Sequence, residues 1–160
     1  EFPFYSDNDR WFRFLRDSVL QEDQYDLIMR TLMTQKEFCL QSICDALWLN
    51  DGHLYDLVNQ GHILGLHSTT HPTVMDNLSK EQQRKEYEKN LDHLRSIPGS
   101  DHEVKTMSHP CGRYNEDTLS ILRGLGIEIG FRSNMTHVDG RTLLELPRED
   151  HTNIVRKLGI

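Results

Sequence analysis

The feature that most constrains this chain is a recurring order: helical pattern, glycine, short apolar run, polar cluster. Gly61 leads into "HILGL", which ends at His67. A long amphipathic stretch follows, where Ser79 and Gln82 form a capping box and Tyr87, Leu91 and Leu94 share one face until Pro98-Gly99 breaks the pattern. "EVKTMS" then runs into His109-Pro110. Asn115 caps a further helix with Leu119, Leu122 and Leu125 inward, closed by Gly124 and Gly126. "IEIGF" ends at Arg132, and beyond the Asp139-Gly140 loop "TLLEL" ends at "PREDH". Strand-length apolar runs alternating with amphipathic helices predict an α/β fold with mainly parallel strands. Such folds collect chemistry at the carboxyl ends of their strands. Here those ends carry His67 to His71, His109 to Tyr114, Arg132, and Arg148 to His151, four polar clusters on one rim.

Upstream, the first 17 residues mix aromatic and polar side chains, among them Phe2, Phe4, Tyr5, Trp11, Phe12 and Phe14, and read as an extended entry, a turn at "SDND" and then a helical turn. These aromatics suit stacking on sugar rings, core packing or a partner surface alike. "QEDQYDLIMRTLM" places Tyr25, Ile28, Met29 and Leu32 on one helical face. "KEFCLQSICDALWL" does the same for Leu40, Ile43 and Leu47 and ends at Asn50-Asp51-Gly52. A short helix, "HLYDLVNQ", stops at Gly61. With 160 residues, no internal repeat and no long linker, residues 1–160 read as a single domain.

Composition narrows the function classes. A net charge of −7 without a Lys/Arg cluster lacks the electrostatic footprint of a nucleic-acid binder. No apolar run approaches a membrane span. The opening "EFPFYSD" shows neither signal peptide nor initiating Met, as expected of a processed product or an excised fragment. Cys39, Cys44 and Cys111 are odd in number and form no CxxC pair, which favours a reducing compartment. Cys39 and Cys44 read as buried or half-buried thiols on one helix. A nucleophilic Cys111 beside His109 would lack a third, orienting group.

His67 and His71 stand four residues apart. Nine histidines in 160 residues produce roughly 0.5 such pairs by chance, so spacing alone decides little. On a helix, or on a strand-end loop entering a helical turn, the two rings share a side and bind one ion. The alternative is a helix start with Ser68 and Thr69 as caps and both imidazoles in solvent.

The surroundings of the pair resemble a known family. "GHILGLHSTTHP", followed by the "LSKEQQRKEYEKNLDHL" helix, is similar to the second motif of the polysaccharide deacetylase (NodB homology) family, carbohydrate esterase family 4, which reads H-[ST]-x-x-H. "MSHPCGRYNEDTLSILRGLGIEIGFRS" resembles its third motif, R-x-P-[YF]-G-x-x-[ND], and "LELPREDHTNI" stands where a late motif brings a histidine. The resemblance covers about residues 50–155, with three motifs in order.

The resemblance implies part of an irregular (β/α) barrel and a metal-dependent hydrolase, usually with zinc, that removes an N-acetyl group from a sugar. His67 and His71 would be metal ligands, with Ser68 or Thr70 holding a ring or the loop in place. The backbone N–H of Cys111, followed by Gly112, Arg113 and Tyr114, would lie on the substrate side. His151 is the candidate general acid, with Asp150 or Arg148 tuning it or binding substrate.

Two departures stand out. The family's T-F-D-D-G motif, source of a base and a third ligand, is absent, and Asp7 and Asp9 of "YSDND" lack its strand and glycine. The expectation is a piece of a larger domain, downstream of that motif and lacking its first strand and helix. Ser108 replaces the family's Arg, leaving Arg113 or Arg132 to supply that charge. For Arg132 a surface or structural ion pair is the alternative; for His109, a packed, hydrogen-bonded ring or a substrate or metal contact. His53, His62, His93, His102 and His137 read as surface or structural. The competing functions are a catalytically degenerate carbohydrate-binding domain and an amidohydrolase for a non-sugar amide.

Overall fold

The computed structural model describes residues 5–97 and 104–159, apart from the side chains at 22, 42, 45 and 46. Phe2, Phe4, Pro98, Gly99 and His102 lie outside the described residues. Chain contacts divide the protein into two compact units, Glu1–Leu49 and Asn50–Ile160.

The first unit is helical. Where an extended entry, a turn at Ser6–Asp9 and then a helical turn were expected, α1 spans Asp7–Phe14, and the reason is local. Ser6 Oγ accepts the Asp9 N–H at 3.2 Å, while Asp9 Oδ2 accepts the Ser6 N–H at 3.3 Å, a capping box that closes the helix start. A π-turn, Leu15–Val19, follows. Next come α2 (Glu22–Gln35) and α3 (Gln41–Leu47). Cys39 precedes α3 and is exposed, so the two thiols do not share a helix; only Cys44 is half-buried. The apolar stripes are present but uncovered: no described residue from 5 to 49 is buried.

The second unit holds the core. Asn50 does not end α3. It caps α4 (Asp51–Asn59), accepting the His53 N–H at 3.0 Å, and Gly61 takes φ +84 beyond the helix. Helix α5 (Lys80–Arg95) starts at the Ser79–Gln82 capping box and buries Tyr87, Leu91 and Leu94. Each such side chain contributes about 1.5–3 kcal/mol by leaving water. After α5 come strand β1 (Thr106–Ser108), helix α6 (Glu116–Gly124, capped by Asn115) and strand β2 (Ile129–Phe131). Helix α6 buries Leu119 and Leu122, half-covers Leu125 and packs on α5.

β1 and β2 pair in parallel, with Met107 opposite Gly130. Single parallel bridges, Leu66 to Met107 and Phe131 to Leu146, extend the order on either side. The result is a mixed helix and strand unit around a small parallel sheet. "HILGL" and "TLLEL", expected as strands, reduce to these bridges. In "TLLEL" Thr142 caps a 3₁₀ turn, Leu143–Glu145, so its backbone bonds close locally. The chain after "PREDH" forms α7 (His151–Leu158), capped by Asp150 and stopped by Gly159 in the left-handed region. Among the described residues no helix is long and apolar enough to cross a membrane.

Gly130 permits the close approach of β2 to the segment at Leu144. A Cβ there would collide with the Leu144 carbonyl oxygen and sit 2.9 Å from its carbon, and neither is a flexible side-chain end. Gly130→Ala is expected to cost about 1–3 kcal/mol in urea unfolding. Gly124→Ala, with nothing within 4 Å, is expected to be neutral or stabilising by up to about 1 kcal/mol. Equal effects at the two positions would contradict the close packing at β2.

Candidate functional site

His67 follows the Leu66 bridge directly. Leu66 donates its N–H to Thr106 O at 2.8 Å and accepts the Ser108 N–H at 2.9 Å, so the backbone before the histidine is fixed to β1. The His67 N–H donates to Asn90 Oδ1 on α5 at 3.0 Å. Its ring Nδ1 lies 2.8 Å from the Ser108 carbonyl oxygen. A carbonyl only accepts, so Nδ1 carries the proton and Nε2 keeps its lone pair outward. Desolvation, partly offset by the Ser108 bond, holds His67 below the ordinary imidazole pKa, in its neutral form near pH 7.

The segment between the histidines is a loop, not a helix start, so helical spacing does not explain the pair. Ser68 and His71 both adopt left-handed backbone, φ +71 and +57, uncommon for residues with a Cβ. Ser68 Oγ accepts the His71 N–H at 3.2 Å. The reversal brings the two rings to a centroid separation of 4.9 Å. Glu86 of α5 accepts the N–H groups of Thr69 and Thr70 at 3.0 and 2.8 Å and the Thr70 hydroxyl at 2.9 Å. Thr70 therefore serves the loop through Glu86 rather than holding a ring.

An open cleft of about 430 Å³ lies beside His67, lined by Ile63, Gly65, Thr106 and Phe131 with the backbone between them, and bordered by Ser108 and Arg148. Arg148 Nη1 reaches Ser108 Oγ at 3.4 Å. Asp150 and His151 do not line this cleft. Asp150 is occupied as the α7 cap, accepting the Thr152 N–H at 2.8 Å, and the Thr152 bonds hold its pKa low. His151 opens α7 with its side chain 86% exposed, its Nδ1 3.5 Å from Asp150 Oδ1.

The third-motif residues form a tight turn, Pro110–Gly112, behind the sheet edge. Cys111 is exposed and left-handed at φ +51, and Gly112 takes φ +68 where a Cβ would strike Ser133 Oγ. The Gly112 N–H donates to His109 O at 3.0 Å, and the Arg113 N–H to Pro110 O at 2.9 Å. The Arg113 guanidinium is engaged by Asp76 at 2.8 Å, so it is not held in reserve for substrate.

Arg132 is neither a surface residue nor in an ion pair among the described residues. It is 4% exposed, donates through Nη2 to Asn134 Oδ1 at 2.6 Å, and its buried Nη1 has no protein partner among them. Sequence reasoning missed Glu145 altogether. This buried carboxylate accepts the Tyr114 hydroxyl at 3.0 Å and the Thr142 N–H at 2.9 Å. Burial opposes its ionisation, but those bonds outweigh it and lower its pKa. The available signal was Thr142-x-x-Glu145, a capping box hidden inside an apparent strand.

His109 is 1% exposed, stacked on Tyr114 at 4.3 Å, with Nε2 donating to Leu144 O at 2.8 Å. It is a packed, hydrogen-bonded histidine. His53 and His93 are also structural, the first accepting the Asn50 N–H at 3.2 Å, the second bonded to Asp51 at 2.8 Å.

The donor set suits a metal in part. Two imidazoles lie side by side, one with its ring set by a backbone carbonyl, as metal-binding histidines commonly are. Among the described residues, no group of three or more His, Cys, Asp or Glu forms a metal cluster. Asp7 and Asp9 belong to the first unit, and Asp9 is bonded to Ser6.

Comparison with known proteins decides the family. The polysaccharide deacetylase profile matches residues 38–130. The chain belongs to the polysaccharide deacetylase family. No curated protein matches it. Among solved structures, the Streptococcus pyogenes deacetylase PplD in complex with acetate is 23% identical, with a TM-score of 0.54 over 68% of this chain and 50% of that one. The BpsB deacetylase domain from Bordetella bronchiseptica is 16% identical, with a TM-score of 0.52 over 63% of this chain and 48% of that one. At these identities the likeness concerns the fold. The chain spans about half the length of these solved structures.

Burial of His109 has a measurable consequence. Desolvation leads in lowering its pKa, and nearby Arg132 and His67 add to it, against the Leu144 bond and Glu145. The folded chain keeps His109 neutral, while the unfolded imidazole takes up a proton below its ordinary 6.5. Stability is thus complete above that pH and falls as acid favours the unfolded state. In urea unfolding between about pH 7.5 and 5.5, His109→Gln is expected to flatten this decline by up to about 1.4 kcal/mol per pH unit. An unchanged slope would show that His109 takes up its proton equally in both states.

Proposed function

We propose that this chain carries the metal-binding and substrate side of a hydrolase that removes N-acetyl groups from a carbohydrate. The family supports sugar deacetylation; metal dependence and the role of each residue belong to this proposal. One observation carries it: His67 Nδ1 is taken by the Ser108 carbonyl at 2.8 Å, leaving Nε2 with its lone pair on a ring 4.9 Å, centroid to centroid, from that of His71. A divalent metal, zinc being suited to imidazole, would polarise the amide carbonyl and acidify a bound water.

The remaining roles fall to the chain's own groups. His67 and His71 bind the ion. Phe131 and Ile63 are the side chains of the cleft lining suited to contact the acetyl methyl. The Cys111 backbone N–H, fixed in a turn with two internal hydrogen bonds, is the candidate for stabilising the oxyanion. Because the group is backbone, a cysteine side chain is tolerated there. Gly112 and Tyr114 shape the substrate side, and Arg132 supports it from the interior. Arg148 lies at the cleft and orients substrate, and His151, with Asp150 beside it, is the candidate donor of a proton to the leaving amine. The parallel order running from Leu66 to Leu146 supports an arc of an irregular (β/α) barrel.

A second reading has its own support. The histidine pair is not part of a three-residue metal cluster among the described residues, and two ligands hold a metal weakly. A carbohydrate-binding domain that keeps the cleft without hydrolysis is consistent with that. Zinc loading of the 160-residue chain, followed by an N-acetylated oligosaccharide assay for acetate, separates the two. The deacetylase reading expects bound zinc, lost at least tenfold in the His67→Ala, His71→Ala double variant, and zinc-dependent acetate release. Sugar binding without release supports the second reading. Absence of zinc binding in the wild type would overturn metal dependence.

A further inference from the structure

We infer that Glu86 is a positioning residue for the His67–His71 pair, acting through the backbone that joins them. The inference deepens the metal-site reading and rests on it for the purpose of the pair, though not for the geometry itself. Glu86 and Asn90 stand four residues apart on α5 and so share one face. Asn90 holds the His67 N–H. Glu86 holds the next turn of the loop: Oε2 accepts the consecutive N–H groups of Thr69 and Thr70, and Oε1 accepts the Thr70 hydroxyl. The Thr69 hydroxyl in turn donates to the Glu86 carbonyl oxygen at 3.0 Å.

Consecutive N–H groups converging on one anion form a nest, a concavity that normally receives a bound anion. Here the anion is a side chain of the same protein. The two threonines it holds are flanked by the two left-handed residues, Ser68 and His71. Strained backbone of this kind persists only when its surroundings over-determine it. Asn90, Glu86 and Ser68 together fix the start, middle and end of the segment from His67 to His71. The helix itself is secured elsewhere, by its capping box and by buried Tyr87 and Leu91. Removing the Glu86 carboxylate should therefore release the loop and leave α5 in place.

The test uses the full chain as wild type, Glu86→Ala and Glu86→Gln, first without metal. NMR should show contacts between the His67 and His71 ring protons in the wild type and lose them in Glu86→Ala. Hydrogen exchange at the Thr69 and Thr70 amides should quicken about tenfold or more, while the Tyr87 and Leu91 amides stay protected. Zinc affinity should fall about 10- to 100-fold, as for other groups that orient metal-binding side chains. Glu86→Gln should recover part of each effect, because its amide oxygen still accepts the two N–H groups. Ring contacts and amide protection unchanged in Glu86→Ala would overturn the inference. Protection lost equally along α5 would do so too, marking Glu86 as part of the general fold. If the NMR changes appear but the wild type binds no zinc, the positioning role stands and the metal reading fails. If all three proteins bind zinc equally, the metal reading stands and the positioning role fails.

Discussion

The site depends on one parallel backbone pairing. Leu66 spends both of its backbone groups on β1, accepting from Ser108 and donating to Thr106. That pairing leaves His67 as the first residue free to turn out of the sheet. It also places the Ser108 carbonyl within 2.8 Å of the His67 ring. Gly65 makes the approach possible, since a Cβ there would lie 3.0 Å from the Thr106 carbonyl oxygen. On the other side, Gly130 does the same for β2 and Leu144. Two missing side chains thus set the spacing of segments whose ends carry the polar groups.

Energies explain why the loop can hold an unfavourable shape. Left-handed backbone costs roughly 1–2 kcal/mol at each of Ser68 and His71. Hydrogen bonds to a charged acceptor contribute about 1.5–3 kcal/mol each when shielded, less when exposed. Glu86 makes three of them, all exposed, so each lies at the low end and they offset part of the strain. The loop is therefore arranged before any ligand arrives, which lowers the cost of assembling a site.

The sequence made parts of this legible and hid others for physical reasons. The α5 capping box and its buried stripe were readable because Ser79, Gln82, Tyr87, Leu91 and Leu94 give spacing and caps the same message. The two carboxyl-end clusters at His67 and His109 were readable from the alternation of elements. "HILGL" and "TLLEL" were overread, since an apolar run looks alike whether it pairs over five residues or at one bridge. Helix α1 was read as no more than a helical turn and helix α7 was missed, because their apolar residues are not buried, leaving only the caps at Ser6 and Asp150 as signals. The burial of Arg132, expected either on the substrate side or in a surface or structural ion pair, was hidden because charge alone does not reveal burial.

The buried polar group behind the cleft shows what the third motif retains after losing its arginine. Ser108 cannot supply a guanidinium, but Arg132, from the end of the neighbouring strand, brings one to the interior side of the same rim. It does so without an ion pair among the described residues, which is a costly state for a guanidinium unless another group meets it. Glu145 is already engaged by Tyr114 and Thr142, and Asn134 satisfies only Nη2. Nη1 is left buried and without a protein partner among the described residues. What the interior holds beside β1 and β2 is thus a group of buried polar side chains, Arg132, Glu145 and His109, with His109 stacked on Tyr114, and each is fixed by hydrogen bonds rather than by solvent.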